Sequence, residues 1–97
     1  MENEPKIGVS LIGPQPTGVI KKFSFGERAV GLTFNPSGDP NVQEVKELYA
    51  KIIDICNEPF LNKDVVMDGE RARLFKIAIT EAQTAQMWAV KAITWKS

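Results

Sequence analysis

The stretch ARLFKIAITEAQTAQMWAVKAITW, Ala72–Trp95, decides the architecture of the chain. Phe75, Ala78, Ala82, Ala85, Ala89 and Ala92 recur at steps of three and four, a narrow seam of mostly small residues on one side of a helix. Leu74, Ile77 and Trp88 form a neighbouring stripe, and Ile79, Val90 and Ile93 another. A surface helix carries one apolar stripe, whereas a helix that is apolar on most sides is buried. At about 1.5 Å per residue this one is roughly 36 Å long. A chain of 97 residues can cover one face of such a helix and hardly all of them. The remaining faces predict partners, most simply copies of the same chain.

Working back from that helix, Asp68 reads as its N-cap, with Glu70 near the positive end of the dipole. Glu58–Met67 reads as a connection broken by Pro59 and Asn62. Before it, Val42, Val45, Leu48, Tyr49, Ile52, Ile53 and Cys56 trace one apolar stripe, which predicts a helix from Pro40 to about Asn57. Asp39 is suited to the N-cap and Pro40 to the first helical position. The NPSGDP run, Asn35–Pro40, is the densest turn signal in the chain.

Upstream the period falls to two. Lys6–Ile12, Val19–Phe25 and Arg28–Phe34 read as strands, with GPQPTG as a loop and Gly26-Glu27 as the tight turn of a hairpin. The fold expected is therefore α+β: a small N-terminal antiparallel β-sheet followed by a long C-terminal two-helix hairpin. It forms a single domain over residues 1–97, with the β part at 6–34 and the helical hairpin at 40–95.

Composition narrows the function. Twelve Lys and Arg balance twelve Asp and Glu, so the formal net charge is zero, against the basic excess of a duplex nucleic-acid binder. One small anionic ligand needs only a local cluster of donors. There is no histidine, which removes the usual general base and the commonest metal ligand. No nucleophile–base pair can be assembled, and no cluster has zinc-ligand spacing. No catalytic residue, metal ligand or cofactor site is therefore expected, and the chain does not read as an enzyme. The lone Cys56 allows no internal disulfide and reads as a buried structural thiol. No apolar run approaches the ~20 residues of a membrane span, and the N-terminus lacks a basic n-region and an apolar signal core. A cytosolic location is expected.

Three constellations remain as binding candidates. In Phe34–Asp39, backbone N–H groups at a helix start, Asn35 and Ser37 as donors, and Gly38 for close approach are the parts of an anion site. Phe25 and Phe34 could offer aromatic faces to a base. The same residues also make a good turn and cap, and Asp39 puts a carboxylate where an anion would sit. Lys21, Lys22 and Arg28 form either an electropositive patch or a solvated strand edge. Arg71 and Arg73 oppose the dipole at the start of the final helix; they fit a guanidinium site for phosphate or salt bridges to Asp64, Asp68 or Glu70. A polar belt, Thr80, Glu81, Gln83, Thr84 and Gln86, crosses the middle of that helix. It is either a register-setting network or a ligand site between subunits.

AVGLTFNPSGDPNVQEVKELYAKIIDIC (Ala29–Cys56) followed by ARLFKIAITEAQTAQMWAVKAITW resembles the phage Thoeris anti-defence sponge proteins. AITEAQTAQMWAVKAI in particular resembles the helical hairpin that this family shares with the phage anti-CBASS cyclic-nucleotide sponges; the Gln86-Met87-Trp88-Ala89 core with flanking alanines is its distinctive part. The resemblance implies a protein of the infected bacterial host's cytoplasm that binds cyclic nucleotide immune signals and holds them without cleavage. For the Thoeris type the implied signal is a glycocyclic ADP-ribose bound at a dimer interface. Cyclic di- or trinucleotides of CBASS are implied at other interfaces of a hexamer. The positions that fit a signal pocket are Phe25, Arg28, Phe34, Asn35, Ser37 and Gly38. Arg71, Arg73 and Thr80 fit a second cyclic-nucleotide site, and Ala78, Ala82, Ala85, Trp88 and Ala89 an oligomer interface. The alternative from the residues alone is an oligomeric structural or interaction protein with no small-molecule ligand.

Overall fold

Ser24 caps the first helix of the described residues. Its hydroxyl accepts from the N–H of Glu27 at 3.1 Å, and the Glu27 carboxylate accepts from the N–H of Ser24 at 2.9 Å. This reciprocal capping box satisfies two donors that a helix start leaves open. It launches a short helix, α1, Phe25–Val30, which Gly31 ends in a left-handed conformation at φ +63°. The computed structural model describes residues 22–97. α2 spans Pro40–Leu61 and α3 spans Gly69–Ile93, and among the described residues there is no strand.

The α+β expectation is thus overturned: the described chain is entirely helical. Arg28–Phe34 is the last part of α1, its cap and the turns that follow, and Gly26-Glu27 lies inside the first turn of α1. The alternation of Val30, Leu32 and Phe34 has a different origin. Val30 and Leu32 are both buried around the Gly31 cap, while Phe34 lies exposed beyond it. The strand expected over Lys6–Ile12, the loop that follows it and Val19–Lys21 lie outside the described residues. The remaining residues of the second strand, 22–25, lead into α1.

α2 and α3 form the helical hairpin. The Asp39 carboxylate accepts from the Asn41 N–H at 2.8 Å with Pro40 at the first position, and the Asp68 carboxylate accepts from the Arg71 N–H at 2.7 Å. Both caps agree with the sequence reading. α2 runs past the expected end at Asn57 and carries Pro59 in its last turn. A proline there forfeits one hydrogen bond, and Phe60 beyond it meets the Phe75 ring of α3 edge-on at 6.3 Å.

The core lies where the three helices converge. Val30 and Leu32 from the α1 end, Ala50 and Ile53 of α2, and Ile79 and Ala82 of α3 form one buried cluster, with Phe23, Ala29, Tyr49, Cys56 and Phe60 packed around it. α1 is pinned to α2 by Asp54, whose two carboxylate oxygens accept from the Ser24 hydroxyl at 2.6 Å and the Gly26 N–H at 2.7 Å. Lys46 is buried with them; its ammonium donates to the Gly31 carbonyl at 2.9 Å and to the Phe34 carbonyl. It thereby supplies donors to backbone at and beyond the α1 end.

Candidate functional site

Two regions carry the residues singled out in the sequence. The first is the junction between α1 and α2. Phe25 opens α1 and is half-exposed, and Phe34 is 70% exposed beyond its end. The Lys46 ammonium lies 5.5 Å from the centre of the Phe34 ring, a cation–π contact that holds the ring beside the Gly31 cap. Burial lowers the pKa of Lys46 from its ordinary value.

Between Phe34 and α2 the polar groups satisfy one another. The Ser37 hydroxyl donates to the Asn35 side-chain oxygen at 2.7 Å and accepts from the Asp39 N–H at 3.1 Å. The Asn35 amide donates to the Asp39 carbonyl at 3.1 Å, and the Gly38 N–H to the Asn35 carbonyl at 3.1 Å. Gly38 has φ +68°, the left-handed region where glycine is unstrained. Asn35, Ser37 and Asp39 thus build a turn and a cap, and the Asp39 carboxylate occupies the start of α2. The exposed Arg28 guanidinium donates to the Phe23 carbonyl at 2.7 Å. The junction therefore presents the Phe34 ring beside a turn whose polar atoms are already engaged, while Phe25 opens α1 and the Arg28 guanidinium is turned back to the Phe23 carbonyl ahead of it.

The second region is an open groove of about 460 Å³ along the first half of α3. It is lined by Gly69, Ala72, Arg73, Lys76, Ile77, Thr80 and Glu81. Arg73, Lys76 and Thr80 follow at steps of three and four, so one helix face aligns a guanidinium, an ammonium and a hydroxyl. These are the donors a phosphate takes. Arg73 binds Glu70 through two hydrogen bonds, Nε to Oε1 at 3.0 Å and Nη2 to Oε2 at 2.7 Å. That pairing holds the Glu70 carboxyl below, and the Arg73 guanidinium above, its ordinary pKa. It also fixes the guanidinium fork in place.

Arg73 and Thr80 share this groove, and Arg71 does not line it. Arg71 lies over the Phe75 ring at 5.7 Å. Lys76 is the member that sequence reasoning missed, although its spacing from Arg73 and Thr80 was a sufficient signal. Every lining residue comes from α3, so the protomer provides one wall of the groove.

The interface seam is divided. Ala82 is buried inside the protomer, Ala85 and Ala89 are half-buried, and Ala78 and Trp88 are exposed. Of the polar belt, Gln83 donates to the Ala29 carbonyl at 3.4 Å, Gln86 is buried, and Thr80, Glu81 and Thr84 face outward. Among the described residues no group of three or more His, Cys, Asp or Glu could hold a metal ion, and no helix is long and apolar enough to cross a membrane.

No curated protein and no solved structure matches the chain. The family model described as Acb2/Tad1, hairpin domain, matches residues 27–94, from α1 through the whole α2–α3 hairpin and well over half of the sequence. The chain therefore belongs to the Acb2/Tad1 hairpin family and is a self-assembling phage anti-defence sponge, not an enzyme, that sequesters small cyclic nucleotide signals.

Proposed function

We propose that the protein acts in the cytoplasm of the infected bacterial host, where it withdraws a glycocyclic ADP-ribose signal of Thoeris immunity and cyclic di- or trinucleotide signals of CBASS immunity. The observation that carries this reading is the α3 groove. It places Arg73, Lys76 and Thr80 on one face, donors suited to the phosphates of a cyclic oligonucleotide. Because all of the lining belongs to one helix, a neighbouring hairpin of the dimer or hexamer supplies the opposite wall.

The glycocyclic ADP-ribose pocket is assigned to the α1–α2 junction, with Phe25 and Phe34 as stacking faces and Arg28 toward the diphosphate. Asn35, Ser37 and Gly38 set the turn that carries them. Their hydrogen bonds within the turn favour a positioning role for these three over direct contact.

Sequestration demands retention without chemistry. Purified protein is incubated with each signal, washed, heated to denature it, and the released compound identified by mass spectrometry. Intact signal is expected. A hydrolysed product would exclude the sponge mechanism, and no retention of glycocyclic ADP-ribose or of any cyclic oligonucleotide would exclude the ligand assignment.

A further inference from the structure

The groove along α3 has two sides of different chemistry. Arg73, Lys76 and Thr80 supply donors, while Ile77 and Glu81, one turn apart, border them on one side. Among the described residues that line the groove, Glu81 is the one carboxylate. It is exposed and makes no hydrogen bond or ion pair with the described residues. Three and four residues away on its helix stand Ile77, Ala78, Thr84 and Ala85, none of them a cation, so α3 offers it no ion-pair partner at those positions. Glu70 differs, because Arg73 engages both of its oxygens. One acid beside the phosphate donors is thus neutralised and the other is left open. A carboxylate accepts and does not donate, and it repels phosphate. Beside an anionic ligand, Glu81 therefore needs a part of that ligand that carries donors and no charge. In a nucleotide these are the base edge and the ribose hydroxyls, and a 3′,5′-linked cyclic oligonucleotide keeps only one free hydroxyl on each ribose.

We propose that Glu81 selects guanine. Its two oxygens accept the N1–H and N2–H of a guanine base whose phosphate lies on Arg73 and Lys76, and Ile77, 41% exposed, offers apolar surface to the face of that base. The inference rests on the reading of this groove as a cyclic-oligonucleotide site. Guanine is the one common base whose pairing edge carries two adjacent N–H donors, and two parallel N–H bonds are what a carboxylate takes best. Adenine and cytosine set an amino group beside a ring nitrogen that accepts. Uracil sets one N–H between two carbonyls. Each of these brings a lone pair against the carboxylate. At about 1.5 Å per residue, Glu81 stands roughly 7.5 Å along the helix axis from Lys76 and roughly 12 Å from Arg73, a span that the ribose and base of one nucleotide fill.

Calorimetric titration with the cyclic dimers and trimers of GMP and of AMP tests this, since within each size the two ligands share charge and backbone. The wild type should bind the guanine compound about tenfold more tightly, the discrimination a bidentate base contact gives. In Glu81→Gln the amide keeps the shape of the side chain and presents one donor and one acceptor, which suits adenine. The preference for guanine should then fall to within about threefold or invert. The ratio is the readout because the lost negative charge strengthens binding of both ligands alike. Glu81 is exposed, so melting curves of the variant should match the wild type. Equal binding of guanine and adenine compounds by the wild type would overturn the selection and leave the groove standing as a site, with the carboxylate on a ribose hydroxyl. A guanine preference that Glu81→Gln leaves intact would overturn it as well. Binding of none of the four compounds would remove the reading of the groove, and this inference with it.

Discussion

The Gly26 N–H donates a 2.7 Å hydrogen bond to the Asp54 carboxylate of the next helix. This bond is possible because Gly26 has no side chain. A Cβ at that position would lie 2.1 Å from the Ala50 carbonyl oxygen, an overlap that only displacement of α1 can relieve. Gly26→Ala should therefore destabilise the protomer by about 2–3 kcal/mol. Asp54→Ala, which leaves both Ser24 and Gly26 without their acceptor, should cost about 2–3 kcal/mol. Urea unfolding monitored by circular dichroism measures both. Values near zero would mean that α1 is not docked as described.

Lys46 predicts a pH dependence. Burial lowers its pKa in the folded state from the ordinary 10.5. Between the lowered value and 10.5, the unfolded chain holds more of the lysine proton than the folded chain does, so stability rises with pH across that window. Lys46→Met removes the titration together with both hydrogen bonds to carbonyls. It should be less stable than wild type at neutral pH and lack the alkaline rise. Denaturant midpoints from pH 8 to 10.5 compare the two proteins.

What could be read in the sequence follows from which interactions are local. Asp39-Pro40 and Asp68 mark helix starts because a cap acts within three residues, and the structure places α2 and α3 behind them. The Ser24 and Glu27 pair is equally local, and it competes with the alternation Val30, Leu32, Phe34. What decides between them is tertiary: Asp54 and the Ala50 carbonyl accept a helix carrying glycine at position 26, and nothing near Ser24 encodes that contact. Pro59 shows the same effect, since Phe60 finds Phe75 only after the hairpin closes. At the groove, Arg73, Lys76 and Thr80 were available from spacing. The loss of Arg71 to the Phe75 ring was not, because Arg71 and Arg73 are adjacent in composition and only helix geometry separates them.

Gln86 is 6% exposed, and its side-chain oxygen has no hydrogen-bond partner among the described residues. A buried acceptor left unsatisfied costs about 1–3 kcal/mol. Methionine has a similar length and no such requirement, so Gln86→Met should stabilise the protomer by about 1 kcal/mol and raise its Tm by about 4–8 °C. A lower Tm would show that the oxygen is satisfied in solution.

The groove separates two neighbouring arginines. Arg73→Ala removes a guanidinium that lines it, whereas Arg71→Ala removes one that does not. Calorimetric titration with a cyclic trinucleotide should show about tenfold weaker binding for Arg73→Ala, the loss of one charge-assisted contact of about 1.5 kcal/mol, and an unchanged constant for Arg71→Ala. Equal losses would indicate a general electrostatic attraction in place of a site.

Trp88 distinguishes protomer stability from assembly. A buried tryptophan cut to alanine costs about 3–5 kcal/mol, but this one is 65% exposed in the protomer. Trp88→Ala should therefore change protomer unfolding, measured at concentrations where the protein is dissociated, by no more than about 0.5 kcal/mol. At higher concentrations it should shift sedimentation toward smaller species, because an indole this exposed on the hairpin is free to be covered by a neighbouring copy. Coincident losses of stability at all concentrations would instead place Trp88 in the core of a single chain. An unaltered sedimentation profile would remove it from the interface.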